Sequence, residues 1–403
     1  REVLHMARKK IGPITSLGNG DKLTVQKSLP LFSLWRSELS LAEFKILDTY
    51  LSRIDSHKPD RRTVVFEKGE LEKILGVKNM AKILFLAQFA PTNGEFIQTS
   101  TPEEEFYAQT YHIPIYNFLV NNNYDFVSSN DVNELIINHD KYDLVWSVYN
   151  RLGFRNSEVF VQSLCEYYGI TYIGAAPNIR ALIEDKSMSK QLAEHINVPT
   201  AKWVVASPKY PLCKIAPFPG PYFVKPRFGS ASLGIDESCL CENWENVLDK
   251  ANEFFSLNTE IIVEEYINGV YYGVPIMNSY KNDEPIFAIP HFQTSTKKGH
   301  IITNAQKRFT DGGMSRFISE SESLNKVLIH FAKSYFKEAQ PCDYARLDFI
   351  VEESTGIPYF LELNALMNLG QRGGFVASFL KSGFNSYEEI IKHILDLGLS
   401  KLT

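Results

Sequence analysis

The feature that most constrains this chain is a pair of apolar segments near its carboxyl end that carry polar residues at alternate positions. Residues Leu347–Val351 predict one strand with Asp348 in its interior, and Pro358–Asn364 predict a second strand that carries Glu362 and Asn364. Side chains two residues apart on a strand point to the same face of the sheet. If the short polar turn between the segments pairs them as a hairpin, all three polar side chains meet on one face.

These three side chains offer oxygen ligands of the kind that Mg²⁺ prefers, with carboxylates that leave room for phosphate oxygens. Arg346 lies two residues before Asp348 and therefore shares its face of the strand. A fixed cation beside a metal site indicates a substrate that is anionic or becomes anionic during the reaction. The hairpin thus predicts a metal site with an adjacent anion-stabilising arginine.

Length and composition restrict the class of protein. The 403 residues suffice for two to four domains, and a hydrophobic content of 44% predicts a sizeable core. No apolar run is long enough to span a membrane, and the charged N-terminal decapeptide has no signal-peptide core. The five cysteines are odd in number and form no C-x-x-C pair, which predicts reduced thiols and no zinc site. We therefore expect a cytoplasmic protein without a membrane segment.

The charge is unevenly distributed along the chain. Residues 1–79, the basic head, carry 15 Lys and Arg against 10 Asp and Glu, whereas the whole chain has a net charge of −5. Within this head, the capping box Ser40–Glu43 predicts a helix, Arg61–Phe66 a strand and Glu70–Gly76 a short second helix. This order fits a small winged-helix-like module, and an ordinary solvated α+β fragment is the alternative.

A different pattern begins at residue 80, where strand-like and helix-like segments alternate as they do in α/β domains. The predicted strands cover 81–88, 142–149 and 170–174, and the predicted helices cover 156–169 and 183–196. The fold class is therefore α/β, with α+β parts, preceded by the small basic module.

Further motifs that suit phosphate or nucleotide binding precede the hairpin. They are a helix lysine at Lys186, a strand that ends in Lys225, a glycine-serine loop with Ser230 and Ser232, an acidic strand end at Glu264 and Glu265, and a basic glycine-hinged loop with Lys307. Small residues let backbone N–H groups approach phosphates, and lysines supply point charges. Each motif alone has a plain structural explanation as a surface helix, turn, strand end or loop. Their succession over residues 186–364 favours one common function.

With these motifs in place, residues 80–403 resemble the ATP-grasp ligases, and within them the D-alanine–D-alanine ligase group. The resemblance implies three parts, which we assign to 80–175 (N-terminal α/β domain), 176–270 (central ATP-grasp subdomain) and 271–403 (C-terminal ATP-grasp domain with the metal site). ATP is expected between the last two parts.

The resemblance also implies roles for individual residues. Lys186 and Lys225, with the loop residues Ser230 and Ser232, are expected to bind the phosphates of ATP. Glu264, Glu265 and Ile267 are expected to bind the adenine. Lys307 is expected to contact the γ-phosphate, and Asp348, Glu362 and Asn364 to hold two Mg²⁺ ions, with Mn²⁺ as an alternative. Arg346, together with backbone N–H groups near Gly370 and Gly373, is expected to stabilise a tetrahedral intermediate.

Two positions depart from the family pattern. Tyr271 stands where many members have a ribose-binding glutamate, so its contact with ATP differs from theirs. The segment after Asn364 lacks the usual proline-glycine pair and the serine of D-alanine ligases. Because that segment normally holds the second amino acid, the resemblance does not identify D-alanine as the substrate. Polar groups for the first substrate are expected in residues 80–175, among them Glu103, Tyr107 and Arg155.

The sequence therefore predicts an ATP-dependent carboxylate–amine ligase that acts through an acylphosphate on amino-acid or other carboxylate substrates. A ligase that acts on a peptide or carrier is one alternative. The other is a DNA-binding regulator whose ligase body senses ATP, because residues 22–78 resemble the N-terminal winged helix of plasmid replication initiators. Small-molecule substrates, DNA at residues 1–79 and a second copy in a homodimer are the partners that this interpretation allows. The likeness is to bacterial proteins.

Overall fold

The structure is a computed structural model, and it describes residues 22–26, 63–67, 81–92, 94–149, 157–229, 234–282, 284–295 and 314–402. The chain divides into two compact units, Arg1–Ala81 and Lys82–Thr403. In the first unit, strands β1 (Lys22–Gln26) and β2 (Thr63–Glu67) pair in antiparallel fashion. Strand β2 confirms the strand predicted near Arg61–Phe66. The two helices predicted for the basic head lie outside the described residues, so the winged-helix interpretation stays a prediction.

The second unit begins with a parallel sheet. Its strands are β3 (Ile83–Leu86), β4 (Phe126–Ser129), β5 (Leu144–Ser147) and β6 (Thr171–Ile173), in the order β4-β3-β5-β6. The helices that alternate with them are α1 (Pro102–Tyr107), α2 (Ile113–Asn121), α3 (Asn133–Asn138) and α4 (Phe160–Tyr168), and a π-helix at Ala108–His112 joins α1 to α2. All four residues of both β3 and β5 are buried, as expected for apolar strands with layers on both faces. This alternation confirms the predicted α/β class.

Two helices form where one was predicted for residues 183–196. Helix α5 (Pro177–Glu184) ends before Asp185, and α6 (Lys186–His195) begins directly after it. Asp185 has φ −95° and ψ 99°, an extended conformation that interrupts the helix. Its carboxylate accepts hydrogen bonds from the backbone N–H groups of Ser187 and Met188. Aspartate favours such N-caps because its side chain competes for backbone donors.

An antiparallel sheet follows. Its strands are β7 (Trp203–Ala206), β8 (Tyr222–Pro226), β9 (Leu240–Cys241) and β10 (Ile261–Glu265), in the order β7-β10-β8-β9, and helix α7 (Trp244–Ser256) covers one face. Val247 and Ala251 of α7 share a buried cluster with Val224 and Val263. The small sheet thus has its own core.

The last sheet is the largest. Its strands are β11 (Gly269–Met277), β12 (Ile286–Phe287), β13 (His291–Ser295), β14 (Met314–Ile318), β15 (Tyr344–Glu352) and β16 (Pro358–Asn364), with the order β14-β13-β11-β15-β16 and β12 beside β11. Helix α8 (Glu322–Glu338) precedes β15, and α9 (Gly374–Lys381) and α10 (Tyr387–Ser400) follow β16. Strands β15 and β16 pair with Asp348 opposite Glu362 and Arg346 opposite Asn364, which confirms the predicted hairpin.

This sheet has one apolar and one polar face. Val274, Leu347 and Phe349 point to the apolar face and pack with Ile179 of α5 and Leu328 of α8. The opposite face carries the polar side chains of the hairpin. The boundaries proposed at residues 175 and 270 stay predictions, although α5 contributes to the core of the last sheet. Among the described residues, no helix is long and apolar enough to cross a membrane.

Candidate active site

Asp348 is the centre of the polar face. It is 1% exposed, and both of its carboxylate oxygens accept hydrogen bonds from the Arg346 guanidinium, at 2.6 and 2.7 Å. The Asn364 amide lies 2.6 Å from Asp348 Oδ2 and 3.2 Å from Glu362 Oε1. The structure therefore brings together all four residues that the sequence placed on one face. Burial raises the pKa of Asp348, and the charge of Arg346 opposes that rise.

Tyr271 lies in this cluster rather than apart from it. On β11 it is two residues from Gly273, which pairs with Asp348 across the sheet. Its hydroxyl interacts with the Asp348 carboxylate, and burial raises the pKa of Tyr271 well above its ordinary value. The hydroxyl therefore stays protonated and donates a hydrogen bond to Asp348.

Two residues that the sequence analysis missed flank the cluster. His291 is fully buried on β13 opposite Gly273, and Arg316 of β14 donates from Nη1 to the Arg372 carbonyl oxygen at 3.0 Å. Burial, with the positive charges of Arg346 and Arg316, lowers the pKa of His291 well below its ordinary value, so its imidazole is neutral. Local sequence gave no signal for these two residues, because the pairing of β13 with β11 and of β14 with β13 was not evident from it.

The His291 ring requires the glycine that opens α9. A Cβ atom placed on Gly374 would lie 2.4 Å from His291 Nε2, closer than side chains pack. We expect Gly374→Ala to destabilise the protein by about 1–3 kcal/mol, the usual cost of overpacking a core. Urea unfolding measures this change. In a double-mutant cycle, His291→Ala should relieve most of it, whereas additive losses would contradict the proposed clash.

A buried ion cluster joins the small sheet to α6. Glu264 on β10 lies 2.7 Å from the Lys225 ammonium and 3.2 Å from the Lys190 ammonium, and both Lys190 and Glu264 are almost fully buried. Burial alone would raise the pKa of Glu264, but the two lysines lower it to about 2. Lys190 also donates to Thr200 Oγ1 at 2.8 Å. Lys190 was not predicted as a site residue, because a lysine inside a helix is usually solvated.

The start of the glycine-serine loop is fixed to the N-terminus of α6. Arg227 donates from Nε and Nη2 to the two oxygens of Asp185, at 3.0 and 2.6 Å. The Lys186 ammonium donates to the Gly229 carbonyl oxygen at 2.6 Å, and the Lys186 backbone N–H donates to the Arg227 carbonyl. Lys186 is thus bonded to Arg227 and Gly229, the residues that follow Lys225 and the end of β8 in the chain.

The turn after Asn364 has its amides engaged internally. The Gly370 N–H donates to Asn368 Oδ1 at 2.6 Å, and the Gly373 N–H donates to the Gly370 carbonyl at 2.8 Å. The turn also touches the first sheet's layer, since a Cβ on Gly370 would lie 2.2 Å from the Thr110 carbonyl oxygen. Helix α9 begins at this point without a side-chain cap.

The remaining predicted residues are placed as follows. Glu265 ends β10 with its side chain partly exposed, and Ile267 lies in the short link from β10 to β11. Tyr107 ends α1. Ser230, Ser232, Lys307 and Arg155, and the side chain of Glu103, lie outside what the structure describes.

The arrangement of the three sheets matches known structures. A D-alanine–D-alanine ligase from Bacillus anthracis complexed with ATP has a TM-score of 0.61 at 18% identity, over 80% of this chain and 98% of that one. A D-Ala:D-Ser ligase from Enterococcus faecalis has a TM-score of 0.57 at 19% identity, over 79% and 99%. These likenesses show an ATP-grasp fold.

Sequence comparisons define the family. Residues 191–396 match the family model described as the D-ala D-ala ligase C-terminus. A D-alanine–D-alanine ligase of Clostridium perfringens is 33% identical over 244 residues, which are 59% of this chain and 75% of that protein. A Clostridium botulinum ligase is 28% identical over 243 residues, 59% and 76% of the two chains. The chain belongs to the D-alanine–D-alanine ligase family and is an ATP-grasp carbon–nitrogen ligase.

Proposed function

We propose that this ligase joins the carboxylate of one small amino-acid substrate to the amine of another at the polar face of the large sheet. The cluster of Arg346, Asp348, Glu362 and Asn364 carries this proposal, because it combines hard oxygen ligands with an arginine that can stabilise developing negative charge. The proposed reaction needs no nucleophilic side chain, since phosphoryl transfer depends on positioning and electrostatics.

The donor set of the cluster fits Mg²⁺. Two carboxylates and one carboxamide converge within hydrogen-bonding distance, and the carboxamide offers its oxygen once it turns about its terminal bond. When bound, Mg²⁺ would neutralise charge on the transferring phosphoryl group. We assign Asp348, Glu362 and Asn364 to holding it, with two ions as the proposed count.

The lysines of α6 and β8 are our candidates for binding ATP. We assign Lys186 and Lys225 to the phosphates of ATP, since both sit at the start of the glycine-serine loop. The ion pair with Glu264 holds the Lys225 ammonium in place at 2.7 Å. Glu264, Glu265 and the backbone at Ile267 stay our candidates for the adenine, and Lys307, Ser230 and Ser232 stay candidates for the phosphates.

Arg346 is our candidate for stabilising the tetrahedral intermediate. Its guanidinium is oriented by two hydrogen bonds to Asp348, which fixes its charge on the reacting face. Because the Gly370 and Gly373 amides are engaged within the turn, the first-turn amides of α9, at Gly374 and Phe375, are better placed to assist it. Gly370 and Gly373 then shape the turn.

We infer that the amino-acid substrates bind where the π-helix beside the first sheet meets the turn that follows Asn364. Tyr111 of the π-helix donates to the Met367 carbonyl oxygen at 3.2 Å, and Thr110 abuts Gly370. The missing serine favours a second substrate other than D-alanine.

DNA binding by the basic head, cytoplasmic localisation and a homodimer stay predictions, and family membership favours catalysis over the ATP-sensing regulator.

Phosphate release tests this function directly. Purified protein should release phosphate from ATP and Mg²⁺ only when pools of L- or D-amino acids are added, and mass spectrometry should detect a condensed product. A folded protein that releases no phosphate with any pool would contradict the proposal. If D-alanyl-D-alanine is the dominant product, the ligase function stands and the inferred change of specificity is wrong.

Tyr271→Phe separates two roles for this tyrosine. Because its hydroxyl donates to Asp348, we expect the substitution to lower kcat by about 3–10-fold, the value of roughly one hydrogen bond, with little change in the KM for ATP. Steady-state kinetics with varied ATP provide the measurement. A raised KM for ATP with unchanged kcat would instead support the predicted contact with the ribose.

A further inference from the structure

A second guanidinium lies on the polar face of the large sheet. Arg316 of β14 is directly opposite Gln293 of β13, and Gln293 is opposite Tyr271 of β11, so these three side chains share one face. Their neighbours in sequence, Phe292 and Phe317, stack on the other face with their ring centroids 5.4 Å apart. Arg316 therefore points to the same side of the sheet as Tyr271 and the cluster described above.

Arg316 has no carboxylate partner in the described part of the chain. Its Nη1 donates to the Arg372 carbonyl oxygen at 3.0 Å, whereas its buried Nε has no partner among the described residues. Its Nη2 is also without a partner there, but this atom is not buried and can reach a ligand. Arg346 differs, because both oxygens of Asp348 compensate its charge. The Arg316 guanidinium is thus held in place by the turn and lacks a counter-charge.

Gln293 adds a neutral donor beside this charge. It is 8% exposed, and its carboxamide makes no hydrogen bond within the described residues. A carboxamide N–H and a guanidinium N–H side by side can donate to the two oxygens of one carboxylate. The face is open to a ligand, since the Arg346 side chain is 19% exposed and Glu362 and Asn364 are partly exposed.

The position of Arg316 separates it from the proposed metal ligands. Strands β14 and β16 are the two ends of the sheet's strand order, and Glu362 and Asn364 lie on β16. Three strand spacings, or roughly 14 Å, separate the backbones of β14 and β15, which suits Arg316 and Arg346 to two different anionic groups. Arg316 is bonded instead to the turn after Asn364, where we place the amino-acid substrates.

We propose that Arg316, with Gln293, binds the α-carboxylate of the second substrate, the amino acid whose amine attacks the acylphosphate. This inference rests on the ligase function proposed above. The first substrate loses its free carboxylate when the new bond forms, whereas the second substrate keeps its own throughout the reaction. A fixed cation away from the metal ligands therefore selects the second substrate by the carboxylate that it retains.

A competition between amino acids and their α-amides tests this role in the full chain. The α-amide of a neutral amino acid can act only as the second substrate, because it has no carboxylate to be phosphorylated. With ATP, Mg²⁺, a pool of L- and D-amino acids and an equal pool of such amides, mass spectrometry of wild-type products should show condensed products that end almost only in a free carboxylate. Arg316→Gln should lower the ratio of acid to amide products by about 10–100-fold, as expected for a hydrogen bond to a charged group.

Control variants separate the loss of this contact from other effects. Lys337→Gln removes a positive charge from the exposed end of α8 and should keep the wild-type ratio. Arg316→Lys keeps the charge and should retain more of the preference than Arg316→Gln. Gln293→Glu places a carboxylate beside Arg316 that should occupy its guanidinium, so it should also lower the ratio and serves if Arg316→Gln does not fold.

The outcomes distinguish this inference from the proposed function. An unchanged ratio in folded Arg316→Gln or Gln293→Glu would overturn the inference and leave the ligase function standing. A raised KM for ATP as the only effect of Arg316→Gln would also overturn it, since the guanidinium would then bind a phosphate. If the wild type forms no condensed product of either kind, the proposed function fails and this inference fails with it.

Discussion

Glu362→Gln is expected to lower the rate of ligation by roughly 10³-fold or more, the loss seen when a main electrostatic stabiliser of a transition state is removed. Glu362 and Asp348 both accept hydrogen bonds from the Asn364 amide, where β15 and β16 pair. An amide of the same shape cannot supply the carboxylate charge that a metal ion requires. Phosphate release at saturating ATP and amino acids measures the effect.

The substitution should leave the fold intact, because it is nearly isosteric and the new amide oxygen can still accept the hydrogen bond from the Asn364 amide. Glu338→Gln is the matched control, since it makes the same chemical change on the exposed end of α8. We expect the control to retain full activity. If Glu362→Gln keeps more than a tenth of the wild-type rate, the metal site lies elsewhere.

The hairpin at the centre of this site was predictable because its signal is local. Alternation in Leu347–Val351 and Pro358–Asn364 sets which side chains share a face, and the short connection leaves antiparallel pairing as the simplest arrangement. The contacts of Arg346 and Asn364 with Asp348 follow from that register alone. Sequence reasoning succeeded where residues close in sequence decide the geometry.

The contributions of His291, Arg316 and Lys190 were not predictable in the same way. His291 reaches the cluster only because β13 pairs with β11, and nothing in either strand specifies that neighbour. Lys190 meets Glu264 because α6 packs beside a strand that lies some seventy residues later in the chain. Long-range packing determines these contacts, and local patterns carry no information about it.

The helix break at Asp185 was only partly predictable from the sequence. The sequence predicted one helix over residues 183–196. The aspartate's preference for an N-cap, reinforced by Arg227 from the loop after β8, divides it in two. The cap was visible in the sequence, but the arginine that stabilises it was not.

Lys190→Met is expected to destabilise the protein by about 3 kcal/mol at neutral pH, the lower part of the range for removing one partner from a buried ion pair. Glu264 would keep only the Lys225 ammonium, at 2.7 Å, and would lose compensation on its other oxygen. Urea unfolding gives the free energy of unfolding. Lys202→Met, on an exposed lysine of the same region, is the control and should change it little.

The same ion cluster should make the free energy of unfolding depend on pH in a defined direction. The pKa of Glu264 is lowered from 4.5 to about 2 in the folded protein, so the charged carboxylate contributes stability that is fully present above about pH 4.5 and is lost as the pH falls towards 2. Without Lys190 that pKa rises, and the loss of stability on acidification begins at higher pH. Unfolding curves from pH 7 to 3 should therefore show the variant losing stability earlier than the wild type and the Lys202→Met control. Parallel acid profiles for all three proteins would contradict this prediction, since they would mean that Lys225 alone lowers the pKa of Glu264.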